Sequence, residues 1–303
     1  MPIYNIDGKN LTHIQQVNIS KEKDLQNLVE KNIELLFNLK FIATEVALED
    51  LRMDSLAFNE ETKSFVIIEY KIRENYSVID QGYSYLSLLL SRKLEFVDLY
   101  NKTFGTHFEI RDFDFSKTKV MFISTSYNKY QLRAVQFEDI AFELWKVVKY
   151  SDGLISFNKV NNKGKHVSIN QISNNNSIRQ NVYSEIRNYS EEEYLKDKSD
   201  NSKELYCNLK EQILSEFDDV EVEPMKKYIK FTVNNQTIAT CVLQLNNLKI
   251  QINASYLDDS KGITKELNYS GGEGVGKYLI KISSEKDFND FMELFKQSYD
   301  EKI

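Results

Sequence analysis

The segment SFVIIEYK, residues 64–71, constrains the fold most strongly, because apolar residues occupy both sets of alternating positions of a β-strand. Such a strand is typical of the interior of a sheet that is covered on both faces. It nevertheless contains Glu69 and Lys71, and Asp54 lies in the preceding strand-like segment RMDSLAF. Charged side chains in a covered sheet require a partner or a function, so this predicted hairpin carries the most functional information in the chain.

The three charges are predicted to converge. A turn centred in NEETK, residues 59–63, places Asp54 opposite residue 68, and a one-residue change of register places it opposite Glu69. Glu69 and Lys71 are two residues apart and therefore share a face. Two neighbouring carboxylates call for a cation, and oxygen ligands favour Mg²⁺ or Mn²⁺ over zinc. The alternative is a solvent-facing pair of Glu69 and Lys71, but apolar residues on both faces count against it.

Helical and strand-like patterns alternate around this hairpin. A helix is predicted from Ser20, as its N-cap, to Leu39, and a second long helix follows the hairpin in VIDQGYSYLSLLLSRKLEFVDLY. The order indicates an α/β fold with one mixed sheet flanked by helices, complete by about residue 160. The predicted domains are residues 1–160, a polar Asn-, Ser- and Lys-rich linker over 161–200, and a small α+β domain over 201–303.

Charge and composition exclude few classes of function. The formal net charge of −7 lies entirely in residues 184–303, because residues 1–183 contain 23 basic and 23 acidic residues. A neutral region can still carry a local basic groove. Two cysteines without paired spacing indicate neither a disulfide framework nor a zinc site. The sequence has no signal-peptide pattern and no long apolar stretch, so we expect a soluble, cytoplasmic protein without membrane contact.

The hairpin resembles a known motif. RMDSLAF followed by SFVIIEYK is similar to the split motif of the PD-(D/E)XK nuclease superfamily, in particular its NucS-like branch. KEKDLQNLVEKN resembles that family's N-terminal helix with an acidic residue, and DQGYSYL resembles its glutamine-bearing helix. The resemblance covers about residues 1–160 and implies a restriction-endonuclease-like fold. It departs at Leu51, where the family has glycine.

The resemblance implies roles for individual residues. It assigns metal ligation to Asp54, Glu69 and the backbone carbonyl of Tyr70. It makes Lys71 the residue that positions or activates the attacking water and stabilises charge on the phosphate. It makes Gln81 a residue that orients the other groups of the site.

The acid of the N-terminal helix has two candidates. At 100° per residue from Leu25, Val29 lies at about 40°, Ile33 at about 80° and Glu22 at about 60°, whereas Glu30 lies at about 140°. Glu22 is therefore preferred as the catalytic acid, and Glu30 stays the alternative.

Substrate contacts are less well determined. Arg52 shares a face with Asp54 and is a candidate for binding the phosphate, or it pairs with Glu49 or Asp50. Tyr83 and Tyr85 lie on the glutamine-bearing helix. We take Tyr85 as a residue that stacks on a base, although aromatic residues at helical spacing also occur in cores.

The resemblance implies a Mg²⁺-dependent endonuclease acting on DNA, with Mn²⁺ able to substitute. A catalytically silent DNA-binding or interaction module is the alternative, and RNA is a weaker third option. A homodimer and the biological pathway, whether repair, restriction or defence, are left open. The C-terminal unit resembles a domain found alone or appended to such nucleases, on the segments KKYIKF and FMELFKQSY. It is expected to bind either a protein partner or nucleic acid.

Overall fold

The structure, a computed structural model, describes residues 2–72, 78–134, 141–160, 189–267 and 274–303. The chain divides into two compact units, Met1–Arg187 and Asn188–Ile303. Most of the predicted linker, residues 161–188, lies outside the described residues. Each unit is therefore described by itself.

The first unit contains a seven-stranded mixed sheet and a separate two-stranded hairpin. The order in the large sheet is β3-β8-β7-β6-β5-β4, with β9 also paired to β8, and only β6-β7 and β7-β8 are parallel. The strands are β1 (Ile3–Asp7), β2 (Asn10–Ile14), β3 (Gln16–Val17), β4 (Lys40–Leu48), β5 (Leu51–Asn59), β6 (Ser64–Lys71), β7 (Lys119–Ser124), β8 (Phe142–Tyr150) and β9 (Ile155–Lys159).

Helices cover both faces of this sheet. The helices are α1 (Glu22–Lys31), α2 (Ile33–Phe37), α3 (Val78–Ser91), α4 (Lys93–Phe104) and α5 (Lys129–Ala134). Apolar residues of α1 and α2 form one core with one face of the sheet, and those of α3 and α4 form a second core with the other. Every residue of β6 except Lys71 is buried, so its apolar residues fill both cores. The prediction of a mixed sheet flanked by helices is confirmed.

Two predicted helices are each divided. Asn32, with φ −123° and ψ 21°, separates α1 from α2, and Arg92, with φ −120° and ψ 38°, separates α3 from α4. The first helix begins at Glu22 with Lys21 as its N-cap, so the prediction of Ser20 as N-cap was wrong. Apolar spacing runs through both breaks, which is why the periodicity alone predicted single helices.

Gly82 sets the distance between α3 and the sheet. A Cβ added there would lie 2.8 Å from Phe142 Cζ and 3.0 Å from Phe122 Cζ. Contacts this short do not occur between real atoms, so a side chain would push α3 away from the sheet. The glycine therefore brings the neighbouring Gln81 close to the end of β6.

The second unit has a six-stranded antiparallel sheet with the order β10-β11-β12-β13-β15-β14. Its long helices share one hydrophobic core with this sheet, as the predicted α+β pattern requires. The elements are α6 (Glu191–Leu195), α7 (Asp200–Glu216), β10 (Glu221–Pro224), β11 (Ile229–Val233), β12 (Gln236–Leu243), β13 (Leu248–Ile252), β14 (Lys265–Glu266), β15 (Tyr278–Ile282) and α8 (Phe288–Asp300).

One basic residue of the second unit is not a surface charge. Lys230 is buried and its Nζ lies 2.7 Å from a carboxylate oxygen of Glu223. A paired lysine of this kind contributes little to an electrostatic surface.

Within the described residues, no helix combines the length and the apolar character needed to cross a membrane.

Candidate active site

The register of the β5–β6 hairpin decides which charges are neighbours. Asn59 pairs with Ser64 and Ser55 pairs with Ile68, which is the second of the two predicted registers. Ser55 and Ile68 are the last pair, and the same register continued by one residue places Asp54 beside Glu69. The Asp54 carboxylate accepts a hydrogen bond from the backbone N–H of Tyr70, at 3.0 Å from Oδ2.

The charged residues on and beside β6 are in direct contact. Lys71 Nζ donates to Glu69 Oε1 at 2.7 Å, and Gln81 Nε2 donates to the same oxygen at 2.9 Å. The Glu69 side chain is 3% exposed and that of Lys71 is 20% exposed. The structure thus brings Asp54, Glu69, Lys71 and Gln81 together at the end of β6, beside the N-terminal part of α3.

The carboxylates of this cluster are held in an unfavourable environment. Burial, and to a smaller extent the charge of Glu22, raise the pKa of Asp54 despite the hydrogen bond from Tyr70. Burial and the nearby Asp54 raise the pKa of Glu69 despite its contact with Lys71. Burial acts to lower the pKa of Lys71, but the hydrogen bond and charge of Glu69 outweigh it and the pKa is raised. The contact with Glu69 therefore favours the charged form of Lys71.

Among the residues that the structure describes, none donates a hydrogen bond to one oxygen of Glu69. Oε2 is buried and accepts no hydrogen bond from the described residues, although Oε1 accepts two. A buried carboxylate oxygen without a donor is costly, and a bound cation would remove that cost. The donor set therefore fits a hard divalent cation.

The carboxylates of this site are few. Among the residues that the structure describes, no group of three or more His, Cys, Asp and Glu side chains could hold a metal ion. Magnesium commonly binds through one or two carboxylates together with waters and substrate phosphates, so Asp54 and Glu69 are sufficient side-chain ligands for it. The carbonyl of Tyr70 as a third ligand stays a prediction.

The two candidate helix acids lie in different places. Glu22 is exposed, and its Oε1 accepts a hydrogen bond from the backbone N–H of Ile72 at 3.1 Å, beside the cluster. Glu30 accepts hydrogen bonds from Gln26 at 2.8 Å and from Ser55 Oγ at 2.6 Å. Glu22 is thus the acid near Lys71, and its catalytic role stays a prediction.

Two buried side chains hold the segment of β5 that carries Asp54. Gln26, on α1, donates to the Asp54 carbonyl at 2.7 Å. Tyr85, on α3, donates to the Arg52 carbonyl at 2.6 Å. β5 pairs with β6 only as far as Ser55, so neither carbonyl can bond to β6. Side chains from the helices on the two faces of the sheet satisfy them instead. The sequence interpretation missed Gln26, although at about 100° from Leu25 it lies within the buried arc of α1.

Tyr85 is a correction to the sequence interpretation. Its side chain is 1% exposed and its hydroxyl also accepts a hydrogen bond from Gln81 Nε2 at 2.6 Å, so the ring is not accessible to stack on a base. Tyr83 is also buried and packs edge-on against Phe142. Both rings are part of the core and of its support for the site.

Arg52 also differs from the prediction in its partner. Its exposed guanidinium pairs with Glu45, and not with Glu49 or Asp50. Glu49 pairs instead with Arg92. Glu45 has a left-handed backbone, with φ 51°, which interrupts the regular alternation of β4. A phosphate contact by Arg52 stays a prediction and would require exchange of this ion pair.

We expect the change Tyr85→Phe to reduce the free energy of unfolding by about 1–3 kcal/mol, because the Arg52 carbonyl loses its buried donor. Urea denaturation followed by the fluorescence of Trp145, the single tryptophan of the chain, measures this in the first unit. The matched control is Tyr4→Phe, whose ring is 48% exposed and which should leave the midpoint unchanged. Equal midpoints for both variants would contradict the assigned hydrogen bond.

Comparison with solved structures gives weak likenesses. A repair endonuclease from Pyrococcus abyssi aligns at 15% identity over 43% of this chain and 48% of that one, with a TM-score of 0.28. The EndoMS complex with double-stranded DNA aligns at 16% identity over 47% and 49%, with a TM-score of 0.30. SfsA from Pyrococcus furiosus, in complex with Ca²⁺, aligns at 14% identity over 49% and 75%, with a TM-score of 0.26. The aligned part thus spans about half the length of the two endonuclease chains, and TM-scores this low carry no argument about this protein.

Sequence comparison identifies the family of the chain. Residues 191–302 match the family described as "Domain of unknown function (DUF5655)". Over 300 residues the chain is 38% identical to a protein of Haemophilus influenzae described as uncharacterized, and the alignment covers 98% of this chain and 99% of that protein. The chain belongs to the same family as this Haemophilus influenzae protein.

Proposed function

We propose that this protein is a divalent-metal-dependent endonuclease of the PD-(D/E)XK type that hydrolyses phosphodiester bonds of DNA. One observation carries the proposal: beside Asp54, Glu69 presents a buried oxygen to which no described residue donates, while its other oxygen is held by Lys71 and Gln81. A cluster with only a structural role gains nothing from a buried, unsatisfied carboxylate. In the sequence, the same residues resemble the metal-binding motif of that superfamily.

Asp54 and Glu69 would hold Mg²⁺, or Mn²⁺ in its place. When bound, such an ion supplies Lewis-acid polarisation of a phosphoryl oxygen and lowers the pKa of a coordinated water. Gln81 fixes the Glu69 carboxylate through Oε1, and Tyr85 fixes the Gln81 amide, so the free oxygen of Glu69 keeps its direction. The backbone N–H of Tyr70 donates to Asp54 Oδ2 and fixes the direction of that carboxylate.

Lys71 acts as a hydrogen-bond donor, since its Nζ already donates to the Glu69 carboxylate. One N–H is used by Glu69, and the remaining N–H groups can reach a phosphate oxygen or the attacking water. In hydrolysis the water oxygen forms a bond to phosphorus, the bond from phosphorus to the leaving sugar oxygen breaks, and the water proton is passed to that oxygen. Lys71 stabilises the negative charge that develops on the phosphate during this exchange.

DNA cleavage with and without divalent metal tests the proposal. We expect the full-length protein to cut DNA in Mg²⁺ or Mn²⁺ and not in EDTA, when offered plasmid, linear duplex, mismatched and single-stranded forms. Lys71→Met should reduce the cleavage rate by at least about a hundredfold, because the phosphate loses a hydrogen-bond donor to the negative charge that develops on it. The control Lys149→Met removes an exposed lysine of β8 on the face of the sheet that α1 and α2 cover, away from Lys71. This variant should cut DNA at the rate of the unchanged protein.

Two outcomes would contradict the proposal. The first is cleavage by Lys71→Met at the rate of the unchanged protein. The second is binding of DNA without cleavage of any form in either metal, which would support the catalytically silent DNA-binding module instead.

A further inference from the structure

Three side chains form a row across the parallel strands β6, β7 and β8. Lys71 at the end of β6 is in register with Ser124 at the end of β7, and Ser124 is in register with Lys146 on β8. We refer to Lys71, Ser124 and Lys146 as the polar row. It connects the candidate catalytic lysine to a second lysine two strands away.

The polar row lies on one face of the sheet. Phe122 and Leu144, each two residues before a member of the row, belong to the core that contains residues of α3 and α4. Ile67, four residues before Lys71, belongs to the same core. Side chains at even spacing along a strand share a face, so all three members of the row project to the side on which Glu69 contacts Gln81.

No acid interrupts the row. Ser124 is buried, and its hydroxyl donates to the Ser126 carbonyl at 2.8 Å. Lys146 is exposed, and no salt bridge joins it to any of the residues that the structure describes. Lys71 is paired with Glu69, so Lys146 is the lysine of the row whose charge is left to attract a phosphate.

The spacing of the two lysines suits a phosphate backbone. Adjacent strands are about 4.8 Å apart, so the Cα atoms of Lys71 and Lys146 are separated by about 10 Å. One DNA strand carries a charge about every 3.4 Å along the helix axis, and so the two ammonium groups can contact different phosphates of one strand.

We propose that Lys146 contacts a backbone phosphate of the DNA strand that is cut, a few nucleotides from the scissile phosphate at Lys71. The DNA strand then crosses from the end of β6 towards the middle of β8, and Lys146 contributes affinity without taking part in the reaction. The inference rests on the proposed endonuclease function, which places the scissile phosphate at Lys71.

Binding of a fluorescent DNA duplex tests the inference separately from cleavage. Fluorescence anisotropy is measured in EDTA at several KCl concentrations with full-length Asp54→Asn protein, in which no cut is expected. Adding Lys146→Ala should raise Kd about three- to tenfold at moderate salt and reduce the slope of log K against log salt by about 0.9. The matched control adds Lys149→Ala, on the same strand, exposed and directed to the opposite face, and should change neither quantity.

The outcomes separate the two proposals. Equal affinities and salt slopes for the Lys146→Ala and Lys149→Ala proteins, or no binding of duplex DNA by the parent protein, would overturn the Lys146 contact. A selective effect of Lys146→Ala supports the contact even if the unchanged protein never cuts DNA, in which case the endonuclease proposal alone is lost.

Discussion

Replacing Asp54 by asparagine is expected to abolish metal-dependent DNA cleavage and, in the absence of metal, to stabilise the protein. Loss of a partner that only supports a metal ligand typically costs 10–100-fold in affinity or activity. Loss of one of two carboxylate ligands should exceed this, and we expect a rate reduction of at least about a thousandfold. Cleavage of plasmid DNA in Mg²⁺ measures the loss.

The stabilising effect of Asp54→Asn follows from the direction of the pKa shifts. Burial raises the pKa of Asp54 and, together with Asp54, that of Glu69, so the folded state binds protons more tightly than the unfolded chain. The contribution of the two acids is therefore favourable below their ordinary pKa values and is lost as pH rises through the raised ones. At neutral pH the asparagine variant should have the higher melting temperature, and lowering the pH should narrow the difference.

Metal addition is expected to reverse the order of stabilities. An ion that binds only the folded state at a hundredfold excess over Kd adds about 2.7 kcal/mol to the stability. Mn²⁺ should therefore raise the melting temperature of the unchanged protein and have little effect on Asp54→Asn. The control Asp50→Asn removes an exposed carboxylate four residues away and should respond to Mn²⁺ like the unchanged protein. An equal rise in the melting temperature of Asp54→Asn on addition of Mn²⁺ would contradict the assignment of Asp54 as a metal ligand.

The sequence determined the strands of the hairpin but not their register. In the structure the Asn59 side chain accepts hydrogen bonds from the amides of Glu61 and Thr62, and Lys63 takes a left-handed φ of 54°. These turn contacts make Asn59 and Ser64 the first pair. A turn of polar residues permits more than one such arrangement, so the pattern left open which residue faces Asp54.

Contacts between elements were harder to predict than the elements. The angular estimate placed Glu22 on the inward side of α1 and Glu30 off it, but Glu22 is exposed beside the Ile72 amide and Glu30 reaches the buried Ser55. Tyr85 has the spacing of a core residue, and its hydroxyl contact with the Arg52 carbonyl depends on how close α3 lies to β5. Periodicity gives the buried face of a helix, whereas such contacts depend on helix position to within an ångström.

A second large effect is expected at Glu143 on β8, away from the cluster of Asp54, Glu69 and Lys71. Its carboxylate accepts a hydrogen bond from Lys119 Nζ at 2.8 Å and from Trp145 Nε1 at 3.1 Å, and Lys159 Nζ lies 3.3 Å away. Glu143→Gln leaves two partly buried lysines without their counter-charge. Breaking a buried ion pair by removing one partner costs about 3 kcal/mol or more, and we expect a loss of this size in the free energy of unfolding.

The pH dependence distinguishes this ion pair from a packing effect. Burial alone would raise the pKa of Glu143, but the charges of Lys119 and Lys159 outweigh it and hold the pKa below its ordinary value. The stabilisation is therefore present above a pH of about 4.3, the ordinary pKa of glutamate, and is lost as pH falls through the lowered value. Urea denaturation followed by Trp145 fluorescence should show a large difference between the unchanged protein and Glu143→Gln at pH 7 and a clearly smaller one at about pH 3. The matched control Glu109→Gln removes an exposed partner of Arg111 and should change little at either pH, because exposed pairs contribute little. A difference that stays constant or widens as pH falls would mean that Glu143 stabilises the sheet by packing and not by its charge.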